Sequence, residues 1–419
     1  MILITFYKRF NKLGKDYVWR FCQLVSKIIL EFIIFYVIST ILNPEDFGKY
    51  NYILTLIVFF TIFGEFGLSG SISKFIAEYR VKNEKKIKTL IFSTGVLFLI
   101  FSLIISIVMV VLSYTILSEY CEYSTIMIIL LILMSGVNIL DGIFRGFAKF
   151  RILAVLSLIS GLMVTPLILI LVNSFGILGG LYVHVIYYLV NFILLFIFNK
   201  ERKKSFDIHL TKDILYYGVV IGFSGIAYFL YTNVDILILE FFGYTPEIAY
   251  YKIIIYLFNF IYIPFTILGQ VAAPSITQNF AKKNYVRIKH YLVYLFYFFI
   301  LGIMITIGTY FIFPIVVQIM FPAYSSALMI RILNVLLLLI PFKVAGVILV
   351  NAFVIPSSHG NLTMIITFIG GVFNVLLDFV FIGWFGLIGI FYATIIVHSS
   401  AIISTFIIFF RILQKDYSF

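Results

Sequence analysis

Charge is scarce in this chain. Of its 419 residues only 11% are Asp, Glu, Lys or Arg, while 63% are hydrophobic. A soluble domain carries about 25% charged residues, so a water-soluble globule is excluded: one core cannot hide this much apolar surface. Cysteine is nearly missing as well. Cys22 and Cys121 stand alone, without the spacing of a metal or redox centre. Stretches of strictly alternating polarity are lacking, and the apolar runs are continuous, which excludes a transmembrane β-barrel. Long polar turns are missing on one side of the apolar runs, where the connections are roughly four to ten residues. That leaves little chain for the site-bearing segment a membrane glycan polymerase or ligase needs. A cleaved leader is not expected either, because the first segment is polar and basic (Lys8, Arg9, Lys12, Lys15) and the first apolar run is full length.

What is present is a series of long apolar runs. A helical crossing needs ~20 apolar residues, and twelve runs fit: Val18–Leu42, Tyr52–Ala77, Thr89–Leu117, Ser124–Phe144, Ile152–Val172, Ile177–Phe198, Ile214–Leu239, Tyr251–Phe280, Tyr291–Ile319, Leu328–Ile355, Leu362–Trp384 and Leu387–Phe410. The expected fold is an all-α polytopic membrane protein of twelve transmembrane helices.

The stretch from Asn43 to Lys88 sets the direction of the rest. A polar turn with Glu45 and Asp46 opens it, an apolar run follows, and a basic tail from Arg80 to Lys88 closes it. Lysine and arginine collect on the cytoplasmic side of a membrane. All but six of the 30 basic residues fall in or beside the N-terminal tail, alternate turns and the C-terminal tail. The exceptions are Lys27, Lys49, Lys74, Lys252, Arg331 and Lys343. The bias places both termini in the cytoplasm of a cell-membrane protein. The net charge of +12 therefore reads as topology and as contact with anionic lipid, and no nucleic-acid partner is expected.

The two halves repeat. Asn43-Pro44-Glu45 recurs as Thr245-Pro246-Glu247, and Ser71-Ile72-Ser73 recurs as Ser275-Ile276-Thr277. Phe175-Gly176-Ile177-Leu178-Gly179 recurs as Phe385-Gly386-Leu387-Ile388-Gly389. Each half holds six runs, an even number, so the halves share one orientation. The expectation is two parallel six-helix lobes, residues 1–198 and 214–419, joined by a basic linker over 199–213 and flanking a central cavity.

At these residues the chain resembles a known family. Leu42–Tyr50, Glu65–Ser69 and Lys74–Arg80, with Val234–Leu239, Asn374 and the Phe385–Gly389 turn, are similar to the polysaccharide export proteins of the Wzx type. Those are lipid-linked oligosaccharide flippases of the MOP superfamily, which also holds the lipid II flippase MurJ and the MATE drug exporters. Two departures stand out: Asp378 where the family has Asn, and Ala249-Tyr250-Tyr251 where it has Gly-Leu-Tyr. The resemblance implies a transporter rather than an enzyme. Its substrate would be a lipid-linked, diphosphate-bearing oligosaccharide moved to the outer leaflet by alternating access, with no cofactor. A MATE-like cation-coupled drug exporter is the alternative on the same fold.

Charges inside the runs point to the site, since such residues are rare at membrane depth and face an interior or a wet passage. Lys27 and Glu31 are four apart on one helix face; they are either a self-neutralising packing pair or a cavity cation held by its neighbour. Glu65 sits among Gly64, Gly67 and Gly70 and reads as a packing-seam carboxylate or as an ion-coupling group. Asp235 falls near mid-membrane. Arg331 and Lys343 have no carboxylate three or four residues away, so their counter-ions come from elsewhere in the fold or arrive with the substrate. Lys27, Arg331 and Lys343 are the candidate substrate contacts. Glu65, Asp235 and Glu31 are the candidates for coupling to a proton or sodium ion. The first, second, fourth, seventh, eighth and tenth runs are expected to line the cavity. Tyr251, Tyr256 and Tyr262 are candidates for stacking on sugars. His184 and His398 read as packing donors, and prolines 166, 264, 274 and 341 as kinks or hinges.

Overall fold

A computed structural model describes Trp19, Gln23 and residues 25–199, 205–282 and 284–417. The expected N-terminal tail, the start of the first run and residues 200–204 of the expected linker lie outside the described residues. The described chain is helical, with no strand. We number its helices α1 (residues 25–41), α2 (Pro44–Glu65), α3 (Leu68–Lys82), α4 (Ile87–Ser113), α5 (Ser124–Gly146), α6 (Phe150–Val164), α7 (Leu167–Phe198), α8 (Ile208–Thr232), α9 (Val234–Phe241), α10 (Thr245–Ala281), α11 (Tyr285–Met320), α12 (Ala327–Leu336), α13 (Ile340–Ile348), α14 (Gly360–Phe385) and α15 (Leu387–Tyr417). Among the described residues ten helical segments are long and apolar enough to cross a membrane, so this is a multi-pass membrane protein. The two remaining apolar runs of the expected twelve are α1, described in part, and the run that begins with α6, which is short.

Local chemistry explains the boundaries. Asn43 caps α2: its side chain accepts from the Asp46 backbone N–H at 2.9 Å, Pro44 opens the helix, and Glu45 and Asp46 fill the first turn. Each feature suits the positive end of a helix. Pro166, which lacks an N–H, follows the end of α6, and Pro341 opens α13; Pro264 and Pro274 lie inside an unbroken α10. The run read as Ile152–Val172 is therefore α6 plus the start of α7, and the turn to the sixth run falls at Gly176 (φ 55°, ψ −125°). Gly386 makes the same turn between α14 and α15 (φ 61°, ψ −149°). That backbone region is open essentially to glycine alone, so the sequence repeat is also a repeat of conformation.

The chain forms two compact units, Met1–Ile226 and Ala227–Phe419. In the first, Leu68, Ile72 and Ile76 of α3 pack with Leu90 of α4 and Ile143 and Phe144 of α5. Close approach is bought with small residues, the usual device where lipid replaces water: a Cβ on Gly142 would stand 2.3 Å from the Ser69 carbonyl oxygen. In the second, Ile276, Ile288, Ile348, Phe353 and Phe409 form the core.

Three further expected continuous helices are broken. The second run, read as Tyr52–Ala77, parts at Phe66 and Gly67, both left-handed (φ 32° and 75°). Its halves are α2 and α3, and the break follows Glu65 directly. It is held in place because Gly67 lies against the backbone of α8, where an added Cβ would sit 2.2 Å from the Gly218 carbonyl oxygen. The seventh run parts at Asn233 (φ −134°, ψ −10°) into α8 and α9, immediately before Asp235. The tenth is α12, a 3-10 turn, α13 and a π-helical turn over Leu349–Val354; such π turns gather at functional positions.

Gly67→Ala should therefore abolish the folded monomer on size exclusion in detergent. Gly176→Ala and Gly386→Ala, where a Cβ meets open space, should each cost about 1–3 kcal/mol from backbone strain alone. Gly95→Ala, also facing open space but in a helix, is the control and should gain up to about 1 kcal/mol. Equal melting points for these variants would show that the turns are not glycine-dependent.

Candidate functional site

Asp235 opens α9 and is 1% exposed. A buried carboxylate costs several kcal/mol unless donors surround it, and three helices supply them. Tyr251 of α10 donates its hydroxyl at 2.6 Å, Thr394 of α15 donates its hydroxyl at 3.0 Å, and the Asn374 amide of α14 donates to the other oxygen. Tyr251 is thus committed to Asp235 rather than offered to a sugar. Asp378, one turn beyond Asn374, is fully buried and faces Asp235 within hydrogen-bonding reach. Neither Asp378 oxygen, nor the Asn374 amide oxygen, has a donor among the described residues. Two like charges so close repel, and a cation or a shared proton relieves them. The open atoms are all oxygens, the ligands of hard cations. Among the described residues no cluster of three His, Cys, Asp or Glu suits a transition metal.

Lys343, on α13, stands with its ammonium 5.5 Å over the Tyr231 ring, a cation–π contact. Tyr231 in turn packs against His398, with ring centroids 4.1 Å apart and planes inclined by 52°. Lys343 and Lys252 both lie within the field of Asp235. Arg331, on α12, is exposed and is not part of this group.

The first unit holds the other candidates. Lys27 and Glu31 meet at 3.7 Å with side chains 46% and 43% exposed. A small cavity of about 110 Å³, lined by Gln23, Lys27, Asn138, Asp141, Tyr187 and Asn191 among others, lies beside them. Gln23 donates to Asp141 at 3.2 Å, and Arg145 pairs with Asp141 at 2.7 Å. Arg145 also donates to the Ser69 hydroxyl at 2.8 Å, and Ser69 donates to the Asn138 carbonyl at 2.8 Å. Glu65 is bonded to Asn138 through one oxygen, and its Oε2 has no partner among the described residues. Lys27 and Glu31 are thus brought together, while Glu65 joins the Asn138–Asp141–Arg145 group. His184 bonds the Tyr50 hydroxyl at 2.7 Å.

The units are unequal. The offset of 210 that pairs Gly176 with Gly386 sets Val164, Ile168 and His184 against Asn374, Asp378 and Thr394. The acidic set is found at this position in the second unit and not in the first. Sequence reasoning kept Asp235 as a site candidate, but took Asn374, Asp378 and Thr394 only as positions of the family resemblance, and His398 as a packing donor. The available signal was spacing: 374 with 378 and 394 with 398 are polar pairs four apart on apolar helices, and so share a face.

Asp235→Leu would strand three donors and should cost about 3 kcal/mol or more, read as a lower melting point in detergent. Asp378→Asn, which keeps the shape and removes the repulsion, should raise the melting point in sodium-free buffer. Two variants that melt with the wild type would mean that these carboxyl groups do not face each other.

The family described as polysaccharide biosynthesis protein matches residues 13–280. No curated protein matches the chain. Among solved structures, the lipid II flippase MurJ in an inward closed conformation superposes with a TM-score of 0.75 at 17% identity, over 93% of this chain and 87% of that one. An inward-facing multidrug resistance MATE family transporter of the MOP superfamily gives 0.68 at 17% identity, over 95% and 99%. A MOP superfamily transporter from Pyrococcus furiosus, whose reverse pocket polarity suggests a different function, gives 0.63 at 16% identity, over 96% of each chain. At these identities the likeness is one of fold: the chain has the MOP-superfamily fold.

Proposed function

The chain belongs to the polysaccharide biosynthesis protein family, and from that premise we propose that it is a flippase for a lipid-linked, diphosphate-bearing oligosaccharide. It works in the cell membrane with both termini cytoplasmic, as two six-span lobes that rock about a central passage. The lipid tail stays in the bilayer while the sugared diphosphate crosses through polar surroundings. The observation that carries this reading is the family match over 13–280, joined to the fold of a protein whose own substrate is named as lipid II.

The charges suit the task. Lys343 stands at membrane depth without a carboxylate on its own helix and is a phosphate contact. Lys27, half-exposed beside Glu31 and a polar cavity, and the exposed Arg331 are the others. Asp235, with Asn374, Asp378 and Thr394, is the seat of a coupling ion, sodium or proton. Glu65, with one unpartnered oxygen beside a helix break, is a second coupling group, and Glu31 sets the charge of Lys27. The drug-exporter reading fits the acidic set less well. Asp235 and Asp378 are 1% and 0% exposed, which leaves room for a small ion and not for an organic cation.

Proteoliposomes carrying a fluorescent polyprenyl-diphosphate oligosaccharide, quenched from outside, test the proposal. The wild type should equilibrate the label between leaflets, and an imposed sodium or proton gradient should bias it. Lys343→Ala should slow the exchange about tenfold or more, the cost of one charge-assisted contact, and Asp235→Asn should remove the response to the gradient. Wild-type rates in both variants would remove these residues from the mechanism. Exchange no faster than in protein-free vesicles would overturn the function.

A further inference from the structure

The acidic set and Lys343 belong to adjacent layers of the second unit. Asp235, Asn374 and Thr394 meet in one layer. One helical turn along α14 and α15, about 6 Å away at 1.5 Å per residue, lie Gly370 and His398, and Tyr231 lies near the end of α8, just before the break at Asn233. That second layer is also packed together: Tyr231 packs against His398, a Cβ on Gly370 would stand 3.0 Å from the Tyr231 ring, and Lys343 lies over the same ring. The His398 Nδ1 has no partner among the described residues.

The formal charges balance. Asp235 and Asp378 face each other, and two lysines, Lys252 and Lys343, lie in the field of Asp235, two formal charges of each sign. Lys252 follows Tyr251, whose hydroxyl is fixed on Asp235 at 2.6 Å. Lys343 is held only by the face of an aromatic ring and by the field of the carboxylate. Neither lysine makes a hydrogen bond or ion pair among the described residues, and Lys343, on the short α13 between a 3-10 turn and a π-helical turn, is the one placed to change partner. A cation entering between the carboxyl groups leaves a surplus of one positive charge, and that surplus appears at Lys343.

We propose that Lys343 is shared in turn between the Asp235–Asp378 pair and a phosphate of the transported head group, so that a cation at the pair releases the ammonium and completes the anion site. This rests on the flippase reading above and deepens it: ion and head group are linked through one side chain in the second unit. The linkage is reciprocal, since whatever the cation adds to phosphate affinity the phosphate adds to cation affinity. A lysine suits the exchange because its head is a compact charge on a flexible stem.

The test is binding of farnesyl diphosphate, as a soluble stand-in for the lipid diphosphate, to the purified full-length protein by thermophoresis. Sodium chloride is compared with N-methylglucamine chloride at equal ionic strength. Sodium should tighten wild-type binding by about tenfold, within the usual range of linkage. Asp378→Asn, which neutralises the pair without any cation, should bind in N-methylglucamine as tightly as the wild type does in sodium. It should also no longer respond to sodium. Lys343→Gln should bind weakly in both salts, and Lys343→Arg should recover both affinity and the sodium response. A Lys343→Gln protein that does not fold leaves Lys343→Arg and Asp378→Asn to decide. Wild-type affinity that sodium leaves unchanged, with Asp378→Asn no tighter than wild type, overturns the linkage. A wild type that does not bind farnesyl diphosphate in either salt overturns instead the diphosphate cargo on which the linkage rests.

Discussion

A carboxylate inside an apolar bundle must be surrounded by donors or abandoned, and at Asp235 that requirement fastens four helices together. α9 brings the acid, α10 the tyrosine, α14 the asparagine and α15 the threonine. Two of the three donors, Asn374 and Thr394, come from segments distant in sequence, so the site cannot form before the second unit does. The break at Asn233 is part of the same arrangement. It ends α8 and restarts the chain so that Asp235 stands in the first turn of α9, where the positive end of the helix dipole favours the negative carboxylate.

The first unit meets the same demand differently. Asp141 is answered by Arg145 and Gln23, and Arg145 reaches on to Ser69 of the broken second run. The left-handed pair Phe66–Gly67 would be an exposed weakness in hydrocarbon, because its freed backbone groups need partners. It lies against the small residues of α8, and glycine is common in that part of the chain for this reason.

Much of this could be read from sequence. The apolar runs, the capped start at Asn43 and the paired turns at Gly176 and Gly386 each leave a local trace, in composition or in a residue that few others can replace. The break at Gly67 leaves only the closely spaced glycines 64, 67 and 70, which fit a packing seam as well as a bend, and the break at Asn233 leaves none, because one non-helical residue hardly disturbs an apolar run of normal length. The π-helical turn at Leu349–Val354 is silent for the same reason. Asp378 was visible as a departure from the family's asparagine, yet its meaning depends on Asp235, 143 positions away, and only the folded chain joins them. The ring of Tyr231 under Lys343 is likewise a tertiary contact that spacing along one helix could not reveal.

The inequality of the two halves has an energetic consequence. A duplicated fold that keeps acidic ligands in one copy, with Val164 and Ile168 at the matching places of the other, has one seat for a driving ion at that depth. Under the proposed coupling, beside the charge of the diphosphate itself and anything carried at Glu65, an ion at that seat brings one elementary charge to each turnover. Crossing 100 mV, that charge delivers about 2.3 kcal/mol, enough to sustain roughly a fortyfold leaflet imbalance at 1.4 kcal/mol per factor of ten.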